Sequence, residues 1–434
     1  MSAPAALTIV CDAAAGSATL LTLDPQGKAT ACCGHVDLGT GIEVALAQIV
    51  AEELDLPLGD VRVVLGNTAL TPDQGPTIAS ETIQITARPL RLAAAQARME
   101  LLRLGGQRLN TDPASLRTQD GVVHGPDGAV PYADLLAGRG IRLHLDPDTP
   151  LKDPAAYRIV GRPHGRRDLT DKLTGDYRYI QDIALPGMVH GHVIRPPYAG
   201  RDSGDFIGHS LIRFDPDSVA HLPGLIDIVR IGDFLGVVAE QDHQARAIAE
   251  ALHVDWRLPP PQPDLSDLRG TIRQQPATPR RLAEDGDFDA AYARSDRRLD
   301  RHYVWPYHLH GSIGPSCAVA DWQGGRPIVW SGSQNPHMLR ADLAVLVGLP
   351  PEQIEIRRYQ AAGCYGRNCA DDVCGDALLL ARAVGRPVRV QLTRAQEHQW
   401  EPRGAAQVMD VRGALDRGGM VSAYSFDTWY PSNR

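Results

Sequence analysis

Between residues 353 and 394 the chain changes its apolar period twice, and that change limits the folds open to it. QIEIRRYQ (353–360) reads as a strand, and AAGCYGRN (361–368) as a glycine-bordered turn. From Ala370 the residues Val373, Ala377, Leu380 and Val384 recur at helical spacing until Gly385, with Pro387 beyond it, and RPVRVQLTR returns to a strand. Strand, loop, helix and strand in this order predict an α+β chain.

The turn itself admits more than one reading. Asp371, Asp372 and Asp376 fall in the first turns of the helix, where carboxylates complement its positive end, and the loop amides would face any anion or oxo group docked there. A tight connection with ordinary capping acids accounts for the same residues. Cys364, Cys369 and Cys374 are spaced five and five. At about 100° per residue each step rotates by roughly 140°, so the thiols do not share a helix face. They read as small packing residues, with zinc or iron–sulfur ligation as the alternative.

At 434 residues the chain exceeds one ordinary core, and two or three domains are expected. Lys and Arg number 44 against 52 Asp and Glu, a net charge of −8, and the basic residues are scattered, which argues against a nucleic-acid partner. No leader-like segment and no long apolar window are present, so neither a signal peptide nor a membrane span is expected. The seven cysteines are odd in number and lie mostly among apolar or small residues, which predicts a reducing compartment, the cytoplasm. The periplasm is reachable through a partner's export signal.

Three regions follow from the punctuation. In residues 1–150 strands KATACCGHVDL and VRVVLG flank a helix in GIEVALAQIVAEELDL, and a long helix from about Glu81 to Leu104 is expected to break near Pro89. A proline- and charge-rich boundary covers residues 145–170. Residues 165–262 read as a compact α+β unit, with strand character on both sides of Pro186-Gly187. LPPPQPDLSDLRGTIRQQPATPR reads as a linker, and 270–434 again alternates strands and helices.

HLHGSIGPSCAVADW (308–322), WSGSQNPHMLRADLAVLVGLPPEQIEI (330–356) and the 361–394 segment resemble the molybdenum-cofactor-binding subunit of the xanthine dehydrogenase and aldehyde oxidase family. The nearest branch is the nicotinate dehydrogenase and isoquinoline oxidoreductase type. CCGHVDLGTGIEVALAQIVAEELDLPLGDVRVVLGNTALTPDQGPT near the start and LTGDYRYIQDIALPGMVHGHVIRPP in the middle extend the resemblance over most of the chain. It implies an a/b hammerhead domain at 165–262 between mixed α/β cofactor-binding segments at 1–150 and 270–434.

The resemblance also implies roles. Gly363, Cys364, Tyr365, Gly366 and Arg367 inherit contact with the molybdenum cofactor, as does Gln334 in SQNP, whose amide can both donate and accept. Gly39, Thr40 and Gly41 are cofactor-binding candidates as well: they stand where the family carries a Gly-Gln-Gly turn whose glutamine holds the pterin or a molybdenum oxygen, and threonine is shorter and lacks the amide donor. Arg403, His308 and His310 are substrate-binding candidates, with Trp305 beside them. No molybdenum ligand is expected from this chain, the metal being held through the pterin, which is expected in its cytosine dinucleotide form.

The family's catalytic glutamate has no counterpart here, so it is expected on a second molybdenum-subunit polypeptide, this chain being the first part of a split subunit. An iron–sulfur subunit, and a flavin or cytochrome c subunit, are the expected electron-transfer partners. The implied reaction hydroxylates an N-heteroaromatic compound or oxidises an aldehyde with water as oxygen source. A non-catalytic cofactor scaffold or assembly factor of the same fold is the alternative. A phosphate-binding enzyme using the same loop would need a basic clamp, of which the motif offers only Arg367.

Overall fold

A computed structural model describes residues 6–13, 16–197, 208–258, 264–366 and 370–431. The first region builds a five-stranded sheet in the order Val61–Leu65, Ala29–Cys33, Gly16–Leu23, Leu7–Ala13, Ile141–His144. The two outer pairings are parallel and the inner ones antiparallel. Helix Ile42–Leu54 buries Leu46, Ala47, Val50, Ala51 and Leu54, one apolar stripe, against this sheet and against helix Ala87–Leu109.

The long helix does not break at Pro89. Pro89 sits in its first turn, where a missing N–H costs nothing, and the irregularity is a π turn, Thr82–Thr86, just before it. The helix runs on to Leu109 through Gly105 and Gly106. A Cβ on Gly105 would stand 2.7 Å from Val123 Cγ1, so glycine lets the 117–131 strands close on the helix.

The proline-rich stretch after residue 145 is strapped back onto this domain. Glu52, buried near the end of helix Ile42–Leu54, accepts the amides of Arg158, Ile159 and Val160, and Lys152 pairs with Asp55 at 2.6 Å.

A seven-stranded sheet runs Leu225–Ile231, Phe234–Ala239, Val189–Val193, Val388–Gln391, Cys317–Asp321, Ile328–Ser331, Glu355–Arg358. Strands from 165–262 thus continue into those of 270–434 through the parallel pair Val189–Val193 and Val388–Gln391. The remaining strands of the middle segment, Leu211–Asp215 and His253–Trp256, pair antiparallel as a separate two-stranded sheet. Helix Asp372–Val384 lies across the join, and Leu380 occupies the space that Cβ atoms on Gly191 and Gly236 would take, 2.5 and 2.9 Å from its methyls. Two glycines in neighbouring strands therefore receive one leucine.

Two local expectations change. The segment before Pro186 forms a 3-10 turn, Ile180–Asp182, rather than a strand: Ile180 is fully buried and its amide donates to the Gln360 carbonyl at 2.9 Å. Within the supposed linker, helix Leu268–Gln274 forms because Asp267 accepts the Gly270 amide and Ile272 packs on Ala406 and Val408. That helix and Phe288–Arg294 cover one face of a three-stranded sheet, Arg297–Trp305, Gln407–Leu415 and Val421–Trp429. Among the described residues, no helix is long and apolar enough to cross a membrane.

Candidate functional site

Three turns from distant parts of the chain meet at the ends of strands Ile328–Ser331 and Glu355–Arg358. The first is 332–335, in which Ser331 Oγ accepts the Ser333 amide and Ser333 Oγ accepts the Asn335 amide before Pro336 opens a helix. The second is 361–366. Its approach to the first is close: a Cβ on Gly332 would stand 2.8 Å from Ala361 Cβ. The third is the 74–80 loop, whose Thr77 donates its amide to the Gln334 carbonyl at 3.1 Å.

Gln334 is the centre of this meeting. Its Nε2 donates to the Thr77 carbonyl at 3.3 Å, and its Oε1 accepts the Cys364 thiol at 3.4 Å. One N–H of the amide remains for another acceptor. Cys364 is buried, and burial pushes its thiol pKa up against the opposing charge of Arg358, which suits a protonated donor. Gly363 and Gly366 have φ of 113° and 129°, a region that favours glycine. Tyr365 is 58% exposed, its ring turned back over Gly363.

His310 joins this turn from the other side. A Cβ on Gly366 would lie 2.6 Å from its Nε2, its backbone amide donates to Glu401 Oε1, and its Nδ1 stands 3.7 Å from that oxygen. Glu401 is buried, and its Oε2 has no partner among the described residues. His308 and Arg403 sit farther out and are exposed. His308 and Gly404 exchange backbone hydrogen bonds at 3.2 and 2.8 Å, Trp305 packs on the His308 ring at 4.9 Å, and Arg403 turns back to the His398 carbonyl.

The Gly39-Thr40-Gly41 turn is built differently. Asp37 Oδ1 accepts the Gly39 and Gly41 amides at 2.7 and 3.3 Å, Arg166 donates to the Gly39 carbonyl, and the Thr40 side chain is exposed. Gly41 opens a cavity of about 510 Å3 lined also by Asp37, Arg166, Tyr177 and Arg358. Arg358 connects the two places, its Nε donating to the Ser333 carbonyl at 3.4 Å.

Arg367 and Cys369 lie outside the described residues. Cys374 does not turn toward Cys364: its thiol donates to Ser331 Oγ and the Ala370 carbonyl, both at 3.1 Å. Among the described residues no group of three His, Cys, Asp or Glu side chains has a metal-binding arrangement. Asp376 faces the interior rather than the turn; it meets Arg195 at 2.5 Å, and burial raises its pKa to about 6 despite that cation. Thr77 and Arg358 escaped the sequence reading because each acquires its place through a contact far away in the chain, whereas Asp37 acts on glycines two and four residues on, a spacing that was local.

Comparison with known proteins bears on this arrangement. Residues 3–164 and 274–432 each match a molybdopterin cofactor-binding domain, and the converging turns are drawn from both. The chain belongs to the molybdopterin cofactor-binding family. This member is 54% identical to a nicotinate dehydrogenase subunit from Pseudomonas putida, over 96% of its own length and 35% of that relative's. It is 25% identical to the beta subunit of isoquinoline 1-oxidoreductase from Brevundimonas diminuta, over 88% of its length and 55% of the relative's. The chain therefore spans between about a third and about half of the length of these relatives. Aldehyde oxidoreductase from Desulfovibrio gigas shares the fold, with a TM-score of 0.50 and 19% identity over 79% of this chain and 38% of that one.

Proposed function

We propose that this chain is the molybdenum-cofactor-binding part of a multi-subunit hydroxylase that introduces oxygen from water into an N-heteroaromatic compound or oxidises an aldehyde. The observation that carries this reading is the meeting of Thr77, Gln334 and Cys364, which joins the two molybdopterin cofactor-binding regions at one point. Groups of the kind such a cofactor needs are present: backbone amides on two left-handed glycines, a free amide N–H on Gln334, a protonated thiol and the Arg358 guanidinium. All are donors or positive, as suits a phosphate- and oxo-bearing group.

Bound there, molybdopterin would supply two-electron oxidation chemistry at molybdenum. Gln334 and the 363–366 turn hold and orient it, with Arg367 in the same motif. His310 keeps the turn's outer side closed. His308, His310 and Arg403 contact substrate. The proton acceptor is a glutamate outside these 434 residues, and the electrons leave through partner iron–sulfur clusters to flavin or cytochrome c. We assign the cytosine dinucleotide form to the pterin, a hammerhead-type unit to residues 165–262, cofactor-binding units to 1–150 and 270–434, and a cytoplasmic location to the complex.

The test is to purify the chain with its genomic neighbours from cells able to make the cofactor. Molybdenum, pterin and iron are then measured, together with turnover on N-heteroaromatic and aldehyde substrates. Stoichiometric molybdenum with turnover is expected. A metal-free, inactive complex would establish the scaffold reading instead.

A further inference from the structure

The groups gathered on Gln334 are neutral, and the cation Arg358 lies behind them. Arg358 ends the strand Glu355–Arg358, donates from Nε to the Ser333 carbonyl, and carries a charge felt by the Cys364 thiol. It is partly buried and lines the 510 Å3 cavity. Other cations of that wall have carboxylate partners: Arg166 meets Asp168 at 2.7 Å, and Arg167 meets Glu43 at 3.0 Å. Arg178 is exposed to solvent.

Arg358 has neither solution. Among the described residues no ion pair holds it, and Asp37, which acts on it at a distance, is engaged by the Gly39 and Gly41 amides. Burial pushes the guanidinium pKa down to about 10, with Cys364, Tyr177 and Asp37 opposing the fall. A desolvated charge without a partner is unfavourable until an opposite charge meets it.

We propose that Arg358 is a charge-compensating residue of the cofactor site, its guanidinium offsetting the negative charge of a redox-active anionic group held at the 363–366 turn. The inference rests on the molybdopterin reading and deepens it, since neither the resemblance nor the hydrogen bonds at Gln334 assigned Arg358 a part. Reduction adds negative charge to such a group, so a nearby positive charge favours the reduced form. Removing one unit charge from a partly buried position shifts the ratio of reduced to oxidised centre by on the order of tenfold, which is ~59 mV downward for a one-electron couple.

Wild-type complex, Arg358→Lys and Arg358→Gln are compared by molybdenum and pterin content and by a redox titration followed through the molybdenum signal in electron paramagnetic resonance. Arg358→Gln is expected to lower the midpoint by that tenfold equivalent and Arg358→Lys to stay near wild type. Failure of Arg358→Gln alone to retain molybdenum also supports the proposal, because lysine keeps the charge but not the hydrogen-bond geometry. Equal shifts in both variants, no shift in either, or loss of molybdenum from both overturns it in favour of packing against Gly66 and Ser333. A wild-type complex without molybdenum removes the molybdopterin reading and this proposal together, whereas a loaded wild type with charge-independent variants removes this one alone.

Discussion

The chain holds two glycine turns that enter helices, and they are stabilised in opposite ways. Gly39-Thr40-Gly41 is closed by its own neighbour: Asp37, two and four residues away, takes both glycine amides, and a Cβ on Gly39 would meet nothing within 4 Å. The 363–366 turn is closed by other parts of the molecule, with Gln334 on Cys364, His310 on Gly366 and the Ile313 amide near Gly363. The helices that follow differ in the same sense. Glu52 on the first is satisfied by three amides of the returning chain, whereas Asp376 on the second, in a buried setting, is met by Arg195. A self-closed turn tolerates change around it; a turn closed from outside transmits change to every element that touches it.

The sharpest way to break this comparison is to place the same methyl group in both turns. Gly39→Ala and Gly366→Ala both force alanine to a positive φ, at a cost of ~1–3 kcal/mol each. Only Gly366→Ala also drives a Cβ into the His310 ring, so it should be the more damaging of the two by ~1–2 kcal/mol and should lose most of the bound molybdenum. Thermal unfolding and metal content of the purified complex report both effects. Equal damage would show that backbone strain alone governs the two turns.

A smaller effect separates the partners. Asp37→Ala frees two amides next to solvent and should cost ~1–2 kcal/mol of stability with molybdenum content little changed. Gln334→Ala removes the Nε2 donor from the Thr77 carbonyl and leaves the Cys364 thiol only the Gly366 carbonyl, and should lower turnover and molybdenum content by a larger factor than its stability loss of ~1–3 kcal/mol explains. The reverse pattern would place the cofactor contact at the 39–41 turn.

The smallest effect is a slope. Burial would raise the Glu52 pKa, but the amides of Ile159, Val160 and Arg158, with Lys152, hold it below the usual carboxylate range. Its contribution is present above the ordinary glutamate pKa and is lost as pH falls through the depressed native value. Asp376 is shifted the other way, so native protein holds a proton that unfolded chain has released, and stability from this group falls as pH rises from about 4 to about 6. In chemical unfolding across pH 3.5–7, the deficit of Glu52→Gln relative to wild type should therefore grow with pH. That of Asp376→Asn should shrink over the same range. Parallel pH dependence in the two variants would remove the contrast between the helices.

Much of this molecule was legible in the chain. The helix stripe Val373, Ala377, Leu380 ends at Gly385 in a left-handed cap, as its sequence predicts, and the strands around it stand where their patterns put them. Gln334 and Cys364 were legible as candidates only through resemblance. Helix Leu268–Gln274 was hidden by the prolines around it, because Ile272 becomes apolar core only after Ala406 and Val408 arrive.

The sequence by itself determined what depends on near neighbours: the period of each element, its caps, the positive-φ glycines and the carboxylate that closes the 39–41 turn. Only the tertiary structure decided that Val189–Val193 joins Val388–Gln391, that Gln334 meets Thr77 across 257 residues, and that Arg358 stands behind Cys364 with no carboxylate pairing it among the described residues. The physical reason is range. Backbone propensity and capping act within a few residues. Burial and electrostatic pairing depend on which surfaces meet, and residues hundreds of positions apart carry no local mark of that meeting.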